Sequence, residues 1–307
     1  MKKLSSKIGL IGIAIALFFT GCQSTAHLPT ELMQVKQLHV NDVDLAYVEE
    51  GKGETVVFVH GGMGDWRTWD SLRPFISEKY RYVAYSRRYH YPNAWPDDGK
   101  KYSVRQHVDD LAAFIRSLNV GPVHLVGNSY AGYLATILAI EHPELLRSVV
   151  IGEPGIIVDE DSPEGKRLIA ERRNGRTGMR EALKAGDFER AAILQYDWVQ
   201  GEDGAFKKIS EAEQQRWLLN ARTLGPSIAD LSSARYPMTR EKIAAIRVPV
   251  LVVRGERTNP YYITTCEDFR SCLPPGNSFA VIPSTSHIWL ASQTAASKAI
   301  LDFISKH

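Results

Sequence analysis

Val123-His124-Leu125-Val126-Gly127-Asn128-Ser129-Tyr130-Ala131-Gly132 joins a short apolar run to a second apolar run that continues to residue 141 through a turn of small and polar residues. A run of strand length closed by Gly-Asn predicts a buried strand, and the longer apolar stretch after it predicts a buried helix. A serine at the tip of a sharp strand-to-helix turn has its Oγ exposed and the following N–H directed into the space before it. Gly127 and Ala131 are small, as such a turn requires, because strand and helix approach closely on both sides of it. The pattern is G-x-S-x-A, with Gly132 one step later. A plain strand–helix connector therefore competes with a reactive serine, and the rest of the chain has to decide.

Working outward, β-like and helix-like segments alternate. Residues 33–40 and 43–50 read as a hairpin around Asn41-Asp42, 55–60 as a continuous apolar strand, and 65–78 as a helical spacing of Trp66, Trp69, Leu72 and Ile76. Strands follow at 82–85, 123–126, 148–151, 250–254 and 278–282, with helices at 103–118 and 288–305. Strands without polar alternation, separated by helices, predict a parallel sheet covered on both faces. Ligands of such sheets bind beyond the carboxyl ends of the strands. Between Gly155 and Ile246 the alternation gives way to a polar, helix-like segment too long for a plain loop. It reads as a helical cap (155–246) inserted after the sixth strand into a core of 33–154 and 247–307. Its charged stretch 171–180 reads as a solvated face in preference to a contact for an anionic substrate.

A chain of 307 residues with 44% hydrophobic and 23% charged residues supports one large globular domain. The formal charge is +2, and Lys2, Lys3 and Lys7 sit in the leader, so the remainder is near neutral. Nothing in this balance points to nucleic acid. Residues 1–7 are basic and 8–20 are apolar, a run too short to span a membrane as a helix and of the length of a secretory core. Followed by Phe19-Thr20-Gly21-Cys22, this resembles a bacterial lipoprotein signal (1–21). That resemblance implies lipid attachment at Cys22, a short tether (22–32), a membrane partner and an envelope location, with Gln23 implying the outer membrane. An ordinary signal peptide or uncleaved anchor stays open. Export leaves two readings for Cys266 and Cys272: a small loop disulfide, or two separate packed thiols.

A reactive serine needs a base, an acid to orient the base and donors for an oxyanion. His287, after an apolar strand and before the last helix, is the expected base. His124 lies inside a strand, His142 ends a helix, and His90 and His107 lie upstream of the serine. The segment Val59-His60-Gly61-Gly62-Met63-Gly64 follows the third predicted strand, and its glycines let backbone N–H groups turn inward. The N–H groups of Gly62 and Tyr130 are the expected oxyanion donors, with His60 organising the loop. The sheet order, His60-Gly61-Gly62, the serine turn, the inserted helices and His287 together resemble the α/β-hydrolase superfamily from about residue 33 onward. The resemblance implies an eight-stranded, mostly parallel sheet, a cap over the pocket and no cofactor.

The acid departs from that pattern. Relatives place an aspartate after the seventh strand, where this chain has Gly255-Glu256-Arg257-Thr258. Threonine carries no charge to stabilise an imidazolium. Glu153, at the carboxyl end of the sixth strand, is the expected acid; Glu256 is second, and Asp159 and Asp161 trail. The expected function is hydrolysis of a carboxylic ester or lactone of small to medium size through an acyl-enzyme. Trp66, Trp69, Tyr130, Tyr133 and Trp289 are candidates for an apolar wall, although aromatics at such spacing are more often core. A C–C bond hydrolase, aminopeptidase or perhydrolase on the same fold, or a non-catalytic binding protein, stays open.

Overall fold

The computed structural model describes residues 33–307, except 234–235 and the side chains of 230–235; the leader, Cys22 and the tether lie outside the described residues. Eight strands form one sheet in the order β1-β2-β4-β3-β5-β6-β7-β8. They are β1 Lys36–Val40, β2 Val43–Glu50, β3 Thr55–Val59, β4 Arg81–Tyr85, β5 Val123–Asn128, β6 Leu146–Gly152, β7 Val250–Gly255 and β8 Ser278–Ile282. β2 pairs antiparallel with β1 and β4, and the pairs from β4 through β8 are parallel. This is the mostly parallel eight-stranded α/β-hydrolase sheet that the sequence led us to expect.

The unbroken apolar strands are divided by the pleat between two cores. Val57, Val59, Leu125, Val149, Ile151 and Val252 face the layer with α2 (Val104–Ser117), α3 (Tyr130–Glu141) and α10 (Pro260–Cys272). Val56, Phe58, Val126, Val150, Leu251 and Val253 face α1 (Arg73–Ser77) and α11 (Gln293–Ile304). A strand buried on both faces has no polar side to alternate, which is why periodicity alone read these as continuous runs.

Between β6 and β7 the chain forms α4 (Pro163–Gly175), α5 (Thr177–Lys184), α6 (Phe188–Gln200), α7 (Glu211–Leu218), α8 (Leu224–Ser233) and α9 (Arg240–Ala244). Three local expectations need correction. The region 65–78 is a 3₁₀ turn, Trp66–Trp69, followed by the short α1. The closing segment is likewise a 3₁₀ turn, Trp289–Ala291, before α11. Helix α10 was not expected, although Asn259 caps it through its side chain and Pro260 opens it, which is a start signal present in the sequence.

Cys266 and Cys272 are both buried, unbridged thiols on α10, so the loop disulfide is not formed. Six residues along one helix separate two Cα atoms axially by about 9 Å, beyond the reach of a disulfide.

Candidate active site

In the strand order β4-β3-β5, β3 lies between the strand that follows it and the one after that, so the sheet winds outward in both directions from β3 and β5. The carboxyl ends at that reversal are the natural place for a ligand. Register puts the pieces side by side: Val59 pairs with Gly127, and Asn128 with Gly152. The loop after β3, the serine turn after β5 and Glu153 after β6 therefore emerge at one edge.

Ser129 sits at φ 57°, ψ −122°, a conformation that L-residues adopt only when surrounding contacts hold it. Its N–H donates to the Gly152 carbonyl at 2.7 Å. A Cβ at Gly127 would lie 2.6 Å from the Ala131 carbonyl oxygen, and one at Gly132 2.9 Å from that of Gly152. The turn thus requires glycine at 127 for the approach of the helix, and the off-pattern Ala131 leaves it intact because the tight position is Gly132.

Glu153 is fully buried and His287 is 3% exposed. The Nδ1 of His287 lies 2.5 Å from Glu153 Oε2. A carboxylate accepts there, so Nδ1 carries the proton and Nε2 keeps its lone pair. Two further donors hold the carboxylate: the Gly255 N–H on Oε1 at 2.7 Å and the Thr258 hydroxyl on Oε2 at 2.7 Å. Glu153 itself has φ 37°, a left-handed conformation that glutamate adopts at a cost. Glu256 is exposed and accepts the Ser284 N–H at 2.8 Å, away from His287. Asp159 pairs with Arg240 at 3.1 Å and Asp161 is exposed.

Thr258 is therefore more than a vacancy where relatives carry aspartate: its hydroxyl completes the shell of the carboxylate that stands one strand over. Sequence reasoning missed this, and it missed Asn128 as well. The Oδ1 of Asn128 accepts the Trp289 indole N–H at 2.7 Å, and its Nδ2 donates to the His287 carbonyl at 3.4 Å. The residue before the serine thus ties the histidine loop down. A Cβ at Gly152 would lie 2.5 Å from that indole nitrogen. Tyr262 stacks on the His287 ring, with centroids 4.0 Å apart and 27° between planes.

His60 is fully buried. Its Nδ1–H donates to the Gly61 carbonyl and its Nε2 accepts the Arg87 N–H, both at 2.9 Å, and burial holds its pKa well below the ordinary histidine range. Arg87, also buried, donates to the Gly61 carbonyl at 2.8 Å and lies 4.6 Å over the Tyr130 ring. A Cβ at Gly61 would lie 3.3 Å from that of Ser129, whereas one at Gly62 would meet nothing within 4 Å.

Ser129, His287, Gly62 and Tyr130 all border one cavity of about 260 Å³, with no hydrogen bond between Ser129 and His287 among the described residues. Catalytic pairs without substrate are often long in this way. The opposite wall comes from the inserted helices, including Arg176, Tyr196, Val199, Trp217 and Leu224. Of the aromatics expected as a wall, Tyr130 and Tyr133 line the cavity. Trp66, Trp69 and Trp289 are instead core residues packed between the sheet and α11, where large indoles bury more surface than a pocket edge allows.

Residues 56–298 match the model of the alpha/beta hydrolase family. Over 283 residues the chain is 27% identical to the 2-hydroxy-6-oxo-6-(2'-aminophenyl)hexa-2,4-dienoic acid hydrolase of Metapseudomonas resinovorans, covering 88% of this chain and 90% of that enzyme. It is 26% identical over 273 residues to the 2-(acetamidomethylene)succinate hydrolase of Mesorhizobium japonicum, covering 88% and 94%. Its fold is similar to that of a bromoperoxidase from Bacillus anthracis, with TM-score 0.70, 19% identity and coverage of 89% and 100%.

Proposed function

The chain belongs to the alpha/beta hydrolase family, and from that premise we propose that it is a serine hydrolase acting on a small acyl compound, an ester or lactone, through an acyl-enzyme. Ser129 Oγ adds to the carbonyl carbon while its proton passes to His287 Nε2. The carbonyl oxygen, now negative, is held by the N–H groups of Gly62 and Tyr130. Collapse breaks the bond to the leaving alkoxide, which takes the proton from His287. Water then repeats the cycle on the acyl-enzyme, releasing the acid and restoring the serine hydroxyl. Glu153 stays ionised throughout and stabilises the imidazolium.

The observation that carries this reading is the His287–Glu153 contact, facing a serine in strained conformation across one cavity. A fluorophosphonate probe should label Ser129 in the folded protein and leave Ser129→Ala unlabelled. An unlabelled wild type would favour the non-catalytic binding reading instead.

A second reading, cleavage of a carbon–carbon bond next to a ketone by the same residues, has one observation in its favour. The Metapseudomonas relative, matched over most of both chains, is named for an oxo-dienoic acid and not for an ester. Nitrophenyl esters of rising chain length, set against a 2-hydroxy-6-oxo-dienoic acid, separate the two by their kcat/KM. The leader adds a location to this proposal: attachment of the enzyme to the cell envelope by lipid on Cys22. Incorporation of labelled palmitate that is lost in Cys22→Ala would support it, and equal incorporation would exclude it.

A further inference from the structure

Arg176 occupies the joint between α4 and α5 and borders the same cavity as Ser129. A Cβ on Gly175 would lie 2.1 Å from Trp198 Nε1, so the indole of α6 lies directly against the backbone before the arginine. The Arg176 guanidinium stacks on that indole, 4.1 Å from its centroid. Its Nε is buried without an acceptor, and no carboxylate pairs with the side chain among the described residues.

Several other charges on the cavity wall are engaged within the chain. Arg67 is held by Asp65 through two side-chain bonds, Glu213 is engaged by the Ser210 hydroxyl and N–H, and Glu160 takes part in an interaction of its own. Arg172 and Arg216 also line the cavity and add positive charge. Burial first, and then the charges of Arg172 and Arg180, push the Arg176 pKa below the ordinary arginine value. A half-buried cation whose Nε is shielded and without a counter-charge is unfavourable, and an anion would complete it. A guanidinium seated over an indole is restrained by it, and its fork of donors suits a planar acceptor such as a carboxylate. A line of aromatic contacts leads from it to the site: Trp198 to Tyr262, with centroids 5.8 Å apart, and Tyr262 onto His287.

We propose that Arg176 binds a carboxylate carried by the substrate, so that the compound attacked at Ser129 is an acid whose charge sits beyond the Tyr262 and Trp198 rings from the scissile carbonyl. This rests on the serine-hydrolase reading and narrows its substrate class. The stretch 171–180 is thus more than the solvated face that its sequence suggested.

The test compares mono-4-nitrophenyl esters of succinate, glutarate and adipate with their methyl-capped counterparts, which lose the charge and gain one methyl group. Wild-type enzyme should prefer the free acid of at least one length by about 10- to 100-fold in kcat/KM, the worth of a charged hydrogen bond. Arg176→Gln should bring that ratio close to one, and Arg180→Gln, outside the cavity, should keep it. Arg176→Lys, which retains the charge but not the fork, covers a glutamine variant that fails to fold; its ratio should fall below wild type. Titrating Ser129→Ala with the same esters gives the preference as an affinity ratio even where turnover is slow. No acid preference at any length, or a full preference in either Arg176 variant, overturns the proposal. Fluorophosphonate labelling of Ser129 alongside keeps the two readings apart: labelled enzyme without acid preference refutes the anion site alone, and unlabelled enzyme refutes the serine mechanism.

Discussion

On the sheet side of the cavity the groups around His287 and Glu153 are answered by other parts of the chain, whereas among the inserted helices Arg176 Nε and Gln195 Oε1 border the cavity without a hydrogen-bond partner. Glu153 accepts from His287, Gly255 and Thr258. Asn128 bridges Trp289 and the His287 carbonyl, and His60 is bound at both ring nitrogens. Across the cavity, Arg176 Nε has no acceptor. Groups whose bonds are made are held in place and suit the positioning of reacting atoms. A wall with an unmet donor suits the choice of what enters. The proposed reactive groups therefore sit at the ends of paired strands, and the open donor sits at the joint between two inserted helices.

The comparison breaks most severely if the sheet side is not catalytic. Glu153→Gln should lower kcat by about 10⁴-fold, the scale of losing the charge beside a catalytic histidine, while the melting temperature stays near wild type. Near-normal turnover in that variant would reduce Glu153 to a structural group. Thr258→Val removes one donor from the carboxylate and should cost about 10- to 100-fold in turnover. If it costs nothing, the hydroxyl only fills space.

Acid should act on the same wall through stability. His60, His90 and His107 are fully or almost fully buried, and burial together with the nearby Arg87 charge lowers the pKa of each well below the ordinary value. The unfolded chain therefore binds protons at these positions near pH 6.5, where the folded protein does not. Stability is full above that pH and declines as pH falls below it, so the melting temperature should hold level from pH 8 to 7 and drop by pH 5. A level profile down to pH 5 would mean that these rings are not kept neutral. The smallest effect belongs to Glu256→Gln, expected within about threefold of wild-type turnover because an exposed side chain away from His287 contributes little; a larger loss would move the acid back to that slot.

Much of this was legible in the chain. Continuous apolar runs predict the parallel strands, and the order strand, Gly-Asn-Ser, apolar helix predicts the turn. Glu153 was reachable because Thr258 cannot carry charge and the end of the sixth strand holds a carboxylate. The role of Thr258 was not legible, since it depends on two strands lying side by side. Asn128 was invisible for the same reason, as its partner Trp289 is 161 residues away. Trp66, Trp69 and Trp289 took the core alternative and Tyr130 and Tyr133 the cavity wall, a division that sequence does not make because an aromatic does not reveal which face it takes.

The sequence by itself determined what local chemistry can specify: strand and helix runs, a turn that needs glycine at 127, and which side chains can attack, accept a proton or carry a negative charge. Tertiary structure alone decided what depends on distance between remote residues. It seats His287 on Glu153, and it leaves Cys266 and Cys272 unbridged because one helix holds them apart. It also turns Arg176, one arginine among several in a charged stretch, into a half-buried cation bordering the cavity. Burial sets the worth of a charge, and burial is a property of neighbours brought together by folding.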